Sequence, residues 1–337
     1  MTPWCRRRNH FTFPGFEFKY TRSLETRAAR FDEGALGAIG NTPIVQLRKV
    51  VGTSGARVLL KLESANPTGS MKDRMAVEVI KSAAADGRLT PGDTVVEYTA
   101  GTTGISLAFV CAALGYRLHV VFSDAFSIEK RRTMLAFGAQ ITDVASDQGR
   151  ITEGLIREMI AVSGEISDQP GHWWSDQLNN HDAIRGYSGM GHEIWSQSGG
   201  QVDVFVHAVG TAHAIHGATL ALREHDPKIR VVAVEPAESA VLSGGPTGSH
   251  RIEGIGIGFI PPLWDPSLVD DIHPVISSDA QQMARRLARE EGIFAGNSTG
   301  ANVVAALNVA SRLPSTATVV TIGVDSGLRY LSTDLYA

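Results

Sequence analysis

The 337-residue sequence has little or none of several features that mark whole classes of protein. Its two cysteines, Cys5 and Cys111, are too few for a disulfide framework, which favours a reducing compartment such as the cytoplasm. No run of about 18 apolar residues occurs, so no membrane-spanning helix is expected. A net charge of −4 and an aromatic content of 7% without interleaved basic residues argue against nucleic-acid binding. A cytoplasmic globular protein is the first expectation.

The first thirty residues differ in composition from the remainder. Basic residues outnumber acidic ones there, and little apolar periodicity is visible. Such an Arg-rich, acid-poor start occurs in transit peptides, so organellar targeting is one interpretation. A flexible arm, an oligomer contact and a misassigned start codon are the alternatives. We treat residues 1–30 as a basic N-terminal arm.

Beyond residue 30, short β-rich runs alternate with helical patterns. This alternation predicts an α/β fold with open, mainly parallel sheets and helices on their faces. The predicted strands are 58–62, 94–98, 118–122, 140–144, 202–206, 231–234 and 318–322. The predicted helices are 71–85, 105–114, 127–137, 182–197, 214–223, 280–291 and 301–313.

The predicted elements fall into two series. The first, ending at residue 144, has the βαβαβ pattern of a half-Rossmann arrangement, and the second half of the chain repeats the pattern. Many of the 35 glycines follow predicted strands. Two open α/β layers facing each other would bind a ligand in the crevice at the carboxyl ends of their strands.

One lysine occupies an unusual position. In the segment 66–74, Lys72 falls in the first turn of a predicted helix, where a cation opposes the helix dipole by about 0.3–1 kcal/mol. A partly buried amine at this position should lose its proton more readily and act as an imine-forming nucleophile. The alternative is a solvated surface lysine paired with Asp73 or Glu78.

Three turns rich in small residues lie between predicted strands and helices. Segments 99–104 and 210–217 place free N–H groups at helix starts, where anions bind, although ordinary capped turns explain them too. His207, His213 and His216 could instead be metal ligands, but no further cluster at metal-ligand spacing supports that. In the turn 292–301, Ser298 could cap a helix or donate to a ring nitrogen.

Six segments in this order resemble the cysteine synthase and cystathionine β-synthase family of fold-type II pyridoxal 5′-phosphate (PLP) enzymes, which are tryptophan synthase β-like. The resemblance runs from about Leu36 to Tyr336. The segments are 40–43, the surroundings of Lys72, the loop at Thr99, 250–256, the turn at Ser298, and 326–332.

The resemblance implies a role for each matching position. Lys72 would bind PLP covalently and move the substrate α-proton. The loop at Thr99, with Gln177 and Gly254, would bind the substrate. The implied substrate-binding residues are Thr99, Ala100, Gly101, Thr103, Gln177 and Gly254. The implied cofactor-binding residues are Lys72, Thr102, Gly210, Thr211, Ala212, His213, Ala214 and Ser298.

Two loops depart from the family pattern. Ala100 and Thr102 stand where the family has serine and asparagine, which puts a contact to the cofactor ring oxygen in doubt. Ala212, His213 and Ala214 stand where the phosphate loop reads Gly-Gly-Thr, so one hydroxyl donor is lost. His213 could compensate with a positive charge or with an N–H contact.

The implied activity is β-replacement on an O-activated L-serine through an α-aminoacrylate, with sulfide as the leading nucleophile and L-cysteine as the product. O-Acetylserine is the leading donor and O-phosphoserine the alternative. Thiosulfate, cyanide, an amine or homocysteine are alternative nucleophiles. A dehydratase-like lyase and a non-catalytic amino-acid- or partner-binding paralogue are further alternatives.

The resemblance also implies an organisation. A smaller mobile domain would comprise residues 66–177, and a larger cofactor-binding domain residues 31–65 and 178–337. A homodimer is expected by resemblance alone. No metal, nucleic acid or membrane is expected among its partners.

Overall fold

The computed structural model describes residues 31–52 and 55–337, so the predicted basic arm lies outside the described residues. The strands are β1 (Ile44–Gln46), β2 (Arg57–Leu62), β3 (Thr94–Tyr98), β4 (Arg117–Ser123), β5 (Gln140–Val144), β6 (His172–Trp174), β7 (Val204–Ala208), β8 (Arg230–Pro236), β9 (Asp271–Val275) and β10 (Thr318–Gly323). The helices are α1 (Lys72–Ala85), α2 (Thr102–Leu114), α3 (Ile128–Ala136), α4 (Glu153–Ser167), α5 (Asp182–Arg185), α6 (Ser188–Gln197), α7 (His213–His225), α8 (Ser277–Arg286) and α9 (Asn297–Ala310).

The strands form two separate sheets. The smaller has the order β5-β4-β3-β6 and is parallel throughout. The larger has the order β1-β2-β10-β7-β8-β9, in which only the β1–β2 pair is antiparallel. The α/β class with two open sheets and flanking helices is therefore confirmed.

Each sheet has its own apolar core. Every residue of β3 is buried, as expected of a parallel strand covered on both faces, and α2 and α4 contribute to the same cluster. The larger sheet packs against α8 and α9 on one face. On its other face it packs against α1, α6 and α7. Within the described chain, no helix combines the length and apolar content needed to cross a membrane.

Two predictions of organisation need correction. The strand at 58–62 does not join the first series, because β2 pairs with β10 in the larger sheet. The helix predicted over 182–197 is two helices, α5 and α6, which are separated at Gly186 and Tyr187. Gly186 packs against the α1 backbone, where a Cβ would lie 2.8 Å from the Met75 Cα, and only glycine allows this approach.

Several element boundaries also differ from the predictions. The helices α2, α7 and α9 begin three, one and four residues earlier than predicted, at Thr102, His213 and Asn297. The prediction missed four elements, namely β1, α4, β6 and β9. The helix α4 did carry a readable signal, because Thr152 caps it by accepting a hydrogen bond from the Leu155 N–H. The earlier starts bring the glycine- and threonine-rich turns into the first turns of helices.

Candidate active site

Lys72 is the first residue of α1 and lies where the two sheets meet. The surface-lysine alternative is wrong. Asp73 instead accepts hydrogen bonds from Thr68 and Ser106, and Glu78 pairs with Arg185. The Lys72 amine forms no hydrogen bond or ion pair with any described residue. The Lys72 Nζ lies over the Tyr187 ring, 6.0 Å from its centroid.

Burial decides the charge state of this amine. It lowers the pKa of Lys72 to about 8, while the nearby Asp325 carboxylate acts in the opposite direction. The position of Lys72 at a helix start predicted that the helix dipole favours the neutral amine. In the structure, desolvation is the main cause. Near neutral pH, such an amine has a larger neutral and nucleophilic fraction than an ordinary lysine.

The turn between β3 and α2 is held by its own hydroxyl groups. The Thr99 Oγ1 accepts hydrogen bonds from the N–H groups of Gly101 (2.8 Å) and Gly104 (3.1 Å). The Thr103 hydroxyl donates to the Gln177 Oε1 at 2.9 Å. Gly101 has a φ of 113°, and a Cβ there would lie 2.4 Å from the Lys130 Cδ, so this position requires glycine.

Gln177 is fixed at three points. Its Nε2 donates to the Tyr98 carbonyl at 2.8 Å, and its backbone N–H donates to the Glu97 carboxylate at 2.9 Å. The third contact is the one from Thr103. Burial raises the pKa of Glu97 to about 8, against the hydrogen bonds from Ser175 and Gln177, which lower it. Glu97 thus holds the backbone N–H of Gln177, and with it the whole residue, beside the turn at Thr99.

The turn between β7 and α7 is not satisfied internally. Ala212 adopts a left-handed conformation with a φ of 68°, which is strained for a residue with a Cβ. The His213 Nδ1 lies 3.1 Å from the Thr211 Oγ1, but its Nε2 has no hydrogen-bond partner. Burial lowers the pKa of His213 to about 3, and the Gln177 main chain opposes this only in part. His213 is therefore a neutral imidazole.

Ser298 is buried in the first turn of α9. The capping interpretation is wrong, because the residue that precedes α9 is Gly296 and Ser298 lies inside the helix. Ser298 lines a small inner cavity that Lys72 also lines. The side chain is therefore placed to contact a ligand rather than to end a helix.

The predicted site residues meet at two adjoining cavities. The outer one has a volume of about 290 Å³ and the inner one about 30 Å³. The outer cavity is lined by Lys72, Thr99, Ala100, Thr102, Thr103, Gln177, Gly210, Thr211 and Gly254. The inner cavity adds Ala212, His213, Ala214 and Ser298. Gly101 lines neither, because it lies against the Lys130 side chain.

Sequence reasoning missed an ion pair in the wall of the outer cavity. The Lys130 ammonium is bonded to the Glu253 carboxylate and lies 4.6 Å from the centroid of the Tyr330 ring. Lys130 and Glu253 are 123 residues apart, so no local pattern connects them. Glu97 did carry a signal, because it is a lone carboxylate in an apolar strand.

The metal-ligand alternative finds no support in the geometry. His207 and His213 line the inner cavity, but the Nδ1 of His216 lies 3.4 Å from the Leu263 carbonyl instead. Among the residues that the structure describes, no three His, Cys, Asp or Glu side chains are arranged to hold a metal ion.

Comparisons with known proteins agree with this geometry. The family model described as "Pyridoxal-phosphate dependent enzyme" matches residues 35–325. A cysteine synthase of Staphylococcus aureus is 40% identical over 306 residues, which are 89% of this chain and 95% of that protein. The chain therefore belongs to the family of pyridoxal-phosphate-dependent enzymes. Within that family it is an enzyme of the cysteine synthase type.

Solved structures give the same result. The cysteine synthase of Entamoeba histolytica has a TM-score of 0.84 and 38% identity, covering 94% of this chain and 93% of its own. The O-acetylserine-dependent cystathionine β-synthase of Helicobacter pylori has a TM-score of 0.84 and 34% identity, and the match covers 90% of this chain and 98% of that one. The family, the fold and the dependence on PLP are thus confirmed.

The residues around Lys72 fit this cofactor. Three residues that line the inner cavity each have a buried polar atom without a hydrogen-bond partner within the described chain, namely the His207 Nε2, the His213 Nε2 and the Asp325 Oδ1. Leaving such atoms unpaired is costly, so they indicate a polar ligand. The helices α1, α2, α7 and α9 all begin at these cavities, and helix N-termini attract a phosphate or a carboxylate.

Proposed function

We propose that the chain transfers sulfide to O-acetyl-L-serine, giving L-cysteine and acetate. The bond between Cβ and the ester oxygen breaks, acetate leaves with the bonding electrons, and sulfur bonds to Cβ. The observation that carries the proposal is the unpaired Lys72 amine at the junction of the two cavities. PLP supplies an electron sink that stabilises negative charge developing at the substrate Cα.

Lys72 would hold the cofactor covalently and exchange a proton with the substrate Cα. Attack on the cofactor aldehyde and removal of the α-proton need the neutral amine, which predominates above about pH 8 because burial lowers the pKa of Lys72, and return of the proton needs the ammonium that the removal creates. Because no carboxylate pairs with the amine, it is free to move between the two positions.

The substrate carboxylate would bind at the turn between β3 and α2. The N–H groups of Thr102 and Thr103 have no partner inside the helix, because the first turn of any helix leaves them free. The Thr99 hydroxyl and the second Nε2 hydrogen of Gln177 are further donors. Ala100 and Gly254 would form the walls of this subsite.

The cofactor would occupy the inner cavity. The turn from Gly210 to Ala214 would bind its phosphate at the start of α7, with a neutral N–H donor from His213. Ser298 would donate to its pyridine nitrogen, and a hydroxyl leaves that nitrogen largely unprotonated. A weaker electron sink favours loss of a group from Cβ. Thr102 lines both cavities and would lie beside the ring oxygen.

We propose that residues 66–177 close as a smaller domain over residues 31–65 and 178–337. The smaller sheet lies within this segment, and the Lys130–Glu253 pair joins it to the rest of the chain. Trp173 packs against both cores, so its fluorescence should report closure. L-Alanine, which has no leaving group, should change this signal in the native enzyme and not in Trp173→Phe. An unchanged native signal would argue against closure.

A larger nucleophile is the second candidate. The outer cavity extends from Lys72 to Ile151 and Thr247, which is more room than sulfide needs. Among the structural relatives is a cystathionine β-synthase that uses O-acetylserine. Homocysteine, thiosulfate, cyanide and an amine are therefore tested beside sulfide.

Product analysis with purified holoenzyme tests these assignments. O-Acetylserine, O-phosphoserine and serine are each supplied with each nucleophile, and the amino-acid products are quantified. The leading proposal expects cysteine from O-acetylserine and sulfide at the highest kcat/KM. If cystathionine is the preferred product, the nucleophile is homocysteine and not sulfide. A protein that holds PLP but gives no product with any pair would support the non-catalytic alternative.

The attachment site is tested separately. Borohydride reduction of the holoenzyme followed by peptide mapping should place a pyridoxyl group on the peptide containing Lys72. Lys228→Ala, which removes an exposed lysine, is the control and should be labelled as the native enzyme is. Absence of the label in active, PLP-loaded protein would contradict the role of Lys72.

We also propose that the enzyme is a homodimer located in the cytoplasm. Light scattering after size-exclusion chromatography should give about twice the chain mass of 36.0 kDa. Fractionation of cells expressing the full chain tests the alternative of organellar targeting, which concerns residues 1–30.

A further inference from the structure

His207 is a buried imidazole that none of the roles above uses. It lies in β7, three residues before Gly210, and is 1% exposed. Its ring packs near the Phe205 ring, with the centroids 6.0 Å apart. It lines the inner cavity together with Lys72 and Ser298. A histidine in such a place needs an explanation, because every buried polar atom is expected to have a partner.

The hydrogen-bonding role of each ring nitrogen follows from Asn302. The Asn302 Oδ1 accepts from the Ala208 N–H at 2.7 Å, and its Nδ2 donates to the Ile322 carbonyl at 2.8 Å. These two contacts fix the orientation of the amide, since an N–H can only donate and a carbonyl can only accept. The Nδ2 therefore faces the His207 Nδ1, 3.4 Å away. The Nδ1 is then an acceptor, and the ring hydrogen is on Nε2.

The Nε2 hydrogen of His207 has no acceptor among the described residues. The atom is buried and has no hydrogen-bond partner. Burial lowers the pKa of His207 to about 3, and the charge of Lys72 lowers it further. The ring is therefore neutral at physiological pH and offers one uncharged N–H donor. An unused donor in a cavity that accommodates a ligand points to an acceptor on that ligand.

The position of Asn302 indicates which part of the bound ligand lies near the His207 imidazole. Asn302 lies one helical turn after Ser298 in α9, so the two side chains are on the same face of that helix. The phosphate turn, by contrast, begins three residues after His207 and has its own donors. The His207 imidazole thus belongs with the Ser298 side of the cavity.

We propose that His207 donates a hydrogen bond from Nε2 to the oxygen substituent on the pyridine ring of the bound cofactor, since the single lone pair of the ring nitrogen is assigned to Ser298. This rests on the proposed placement of PLP at Lys72. His207 would be a cofactor-binding residue of this chain, positioned through Asn302. It adds a neutral donor on the side of the ring opposite to the phosphate turn.

Two amide substitutions of His207 distinguish the effect of its Nε2 donor from the effect of the other imidazole atoms. His207→Gln places an amide N–H near the position of Nε2, whereas His207→Asn places it near Nδ1 and cannot reach as far. The dissociation constant of PLP is measured by titrating each apoenzyme, and the absorption maximum of bound PLP is recorded. Near-ultraviolet circular dichroism of each variant shows whether it has folded.

We expect His207→Asn to weaken PLP binding about tenfold, which is the usual effect of losing one buried hydrogen bond, and to shift the absorption maximum. His207→Gln should restore both values toward the native ones. Equal values for native, Gln and Asn proteins would overturn the proposal. Weaker binding with an unshifted maximum would overturn the assignment to the ring.

The native protein separates this inference from the proposed function. If the native chain does not bind PLP at Lys72, the proposed function fails before His207 is tested. If the native chain binds PLP and the variants do not differ from it, only the inference about His207 fails.

Discussion

The two glycine- and threonine-rich turns that line the cavities, 99–104 and 210–214, differ in how their polar groups are paired. In the turn 99–104 the Thr99 hydroxyl accepts hydrogen bonds from two backbone N–H groups, and Thr103 bonds to Gln177. In the turn 210–214 a non-glycine residue, Ala212, has a positive φ, and His213 has a buried nitrogen without a partner. The shape of the first turn is held by its own hydroxyl groups, whereas the second turn contains a strained residue and a buried nitrogen without a partner.

The difference matches what each turn is proposed to bind. A substrate arrives and leaves in every catalytic cycle, so its turn must hold its shape alone. A resident cofactor stays bound, so its turn can depend on the ligand for part of its stability. A protein tolerates unpaired buried groups and backbone strain where a functional ligand compensates for them. Four predictions test this contrast, in order of decreasing effect.

Removing PLP should destabilise the protein and affect the two turns unequally. A ligand present at 1,000 times its dissociation constant adds about 4 kcal/mol to the free energy of unfolding. Hydrogen exchange should therefore quicken more at 210–214 than at 99–104 when the apoenzyme is compared with the holoenzyme. Equal protection changes in the two turns would remove the contrast.

Gln177→Ala should impair the substrate turn and leave the cofactor in place. The variant loses the proposed hydrogen bond from the Gln177 Nε2 to the substrate carboxylate. Losing a hydrogen bond to a charged group costs about 1.5–3 kcal/mol, so the KM for the amino-acid donor should rise roughly 10- to 100-fold. The PLP dissociation constant should stay near the native value. A variant that loses PLP to the same extent would show that the two turns are not separable.

His213→Gln should reduce the acid sensitivity of the apoenzyme. The folded pKa of about 3 lies below the ordinary histidine value of about 6.5, so the unfolded chain binds an extra proton between them. Stability from this residue is present above pH 6.5 and is lost as the pH falls. From pH 7 to 5 the loss is about 2 kcal/mol. The free energy of unfolding of the apoenzyme is measured with urea at pH 7 and at pH 5. Its change between the two pH values should be about 2 kcal/mol smaller in the variant than in the native protein.

Ala212→Gly should stabilise the apoenzyme slightly. A left-handed conformation costs a residue with a Cβ about 1–2 kcal/mol, and the extra backbone freedom of glycine offsets part of this gain. We expect a rise in the free energy of unfolding of about 1 kcal/mol. Ala214→Gly, inside α7, is the control and should lower stability by a similar amount. Two changes of the same sign would argue against strain at Ala212.

Much of the fold was readable from local pattern. The strands β3 and β5 begin and end where the alternation of residues predicted, because each is a short apolar run bounded by turn residues. The placement of β2 was not readable, because nothing in the run 58–62 states which sheet it joins. Strand pairing is decided by contacts such as Thr318 with Arg57, which are remote in the chain.

The candidate site divides in the same way. The motif around Lys72 and the turns at Thr99 and Gly210 were recognisable, since each is a contiguous segment. The cavity wall was not, because Lys130 and Glu253 are brought together only by packing. The helix-cap alternative for Ser298 arose because the start of α9 was predicted four residues too late.

By itself, the sequence determined the class of enzyme and singled out Lys72 as the candidate cofactor lysine, because short motifs hold their residues at fixed local spacing. Only the tertiary structure decided that the amine of Lys72 is unpaired, which nitrogen of His207 carries its hydrogen, and which turn is left incomplete. Desolvation and long-range hydrogen bonds set these properties, and both depend on residues that meet only after the chain has folded.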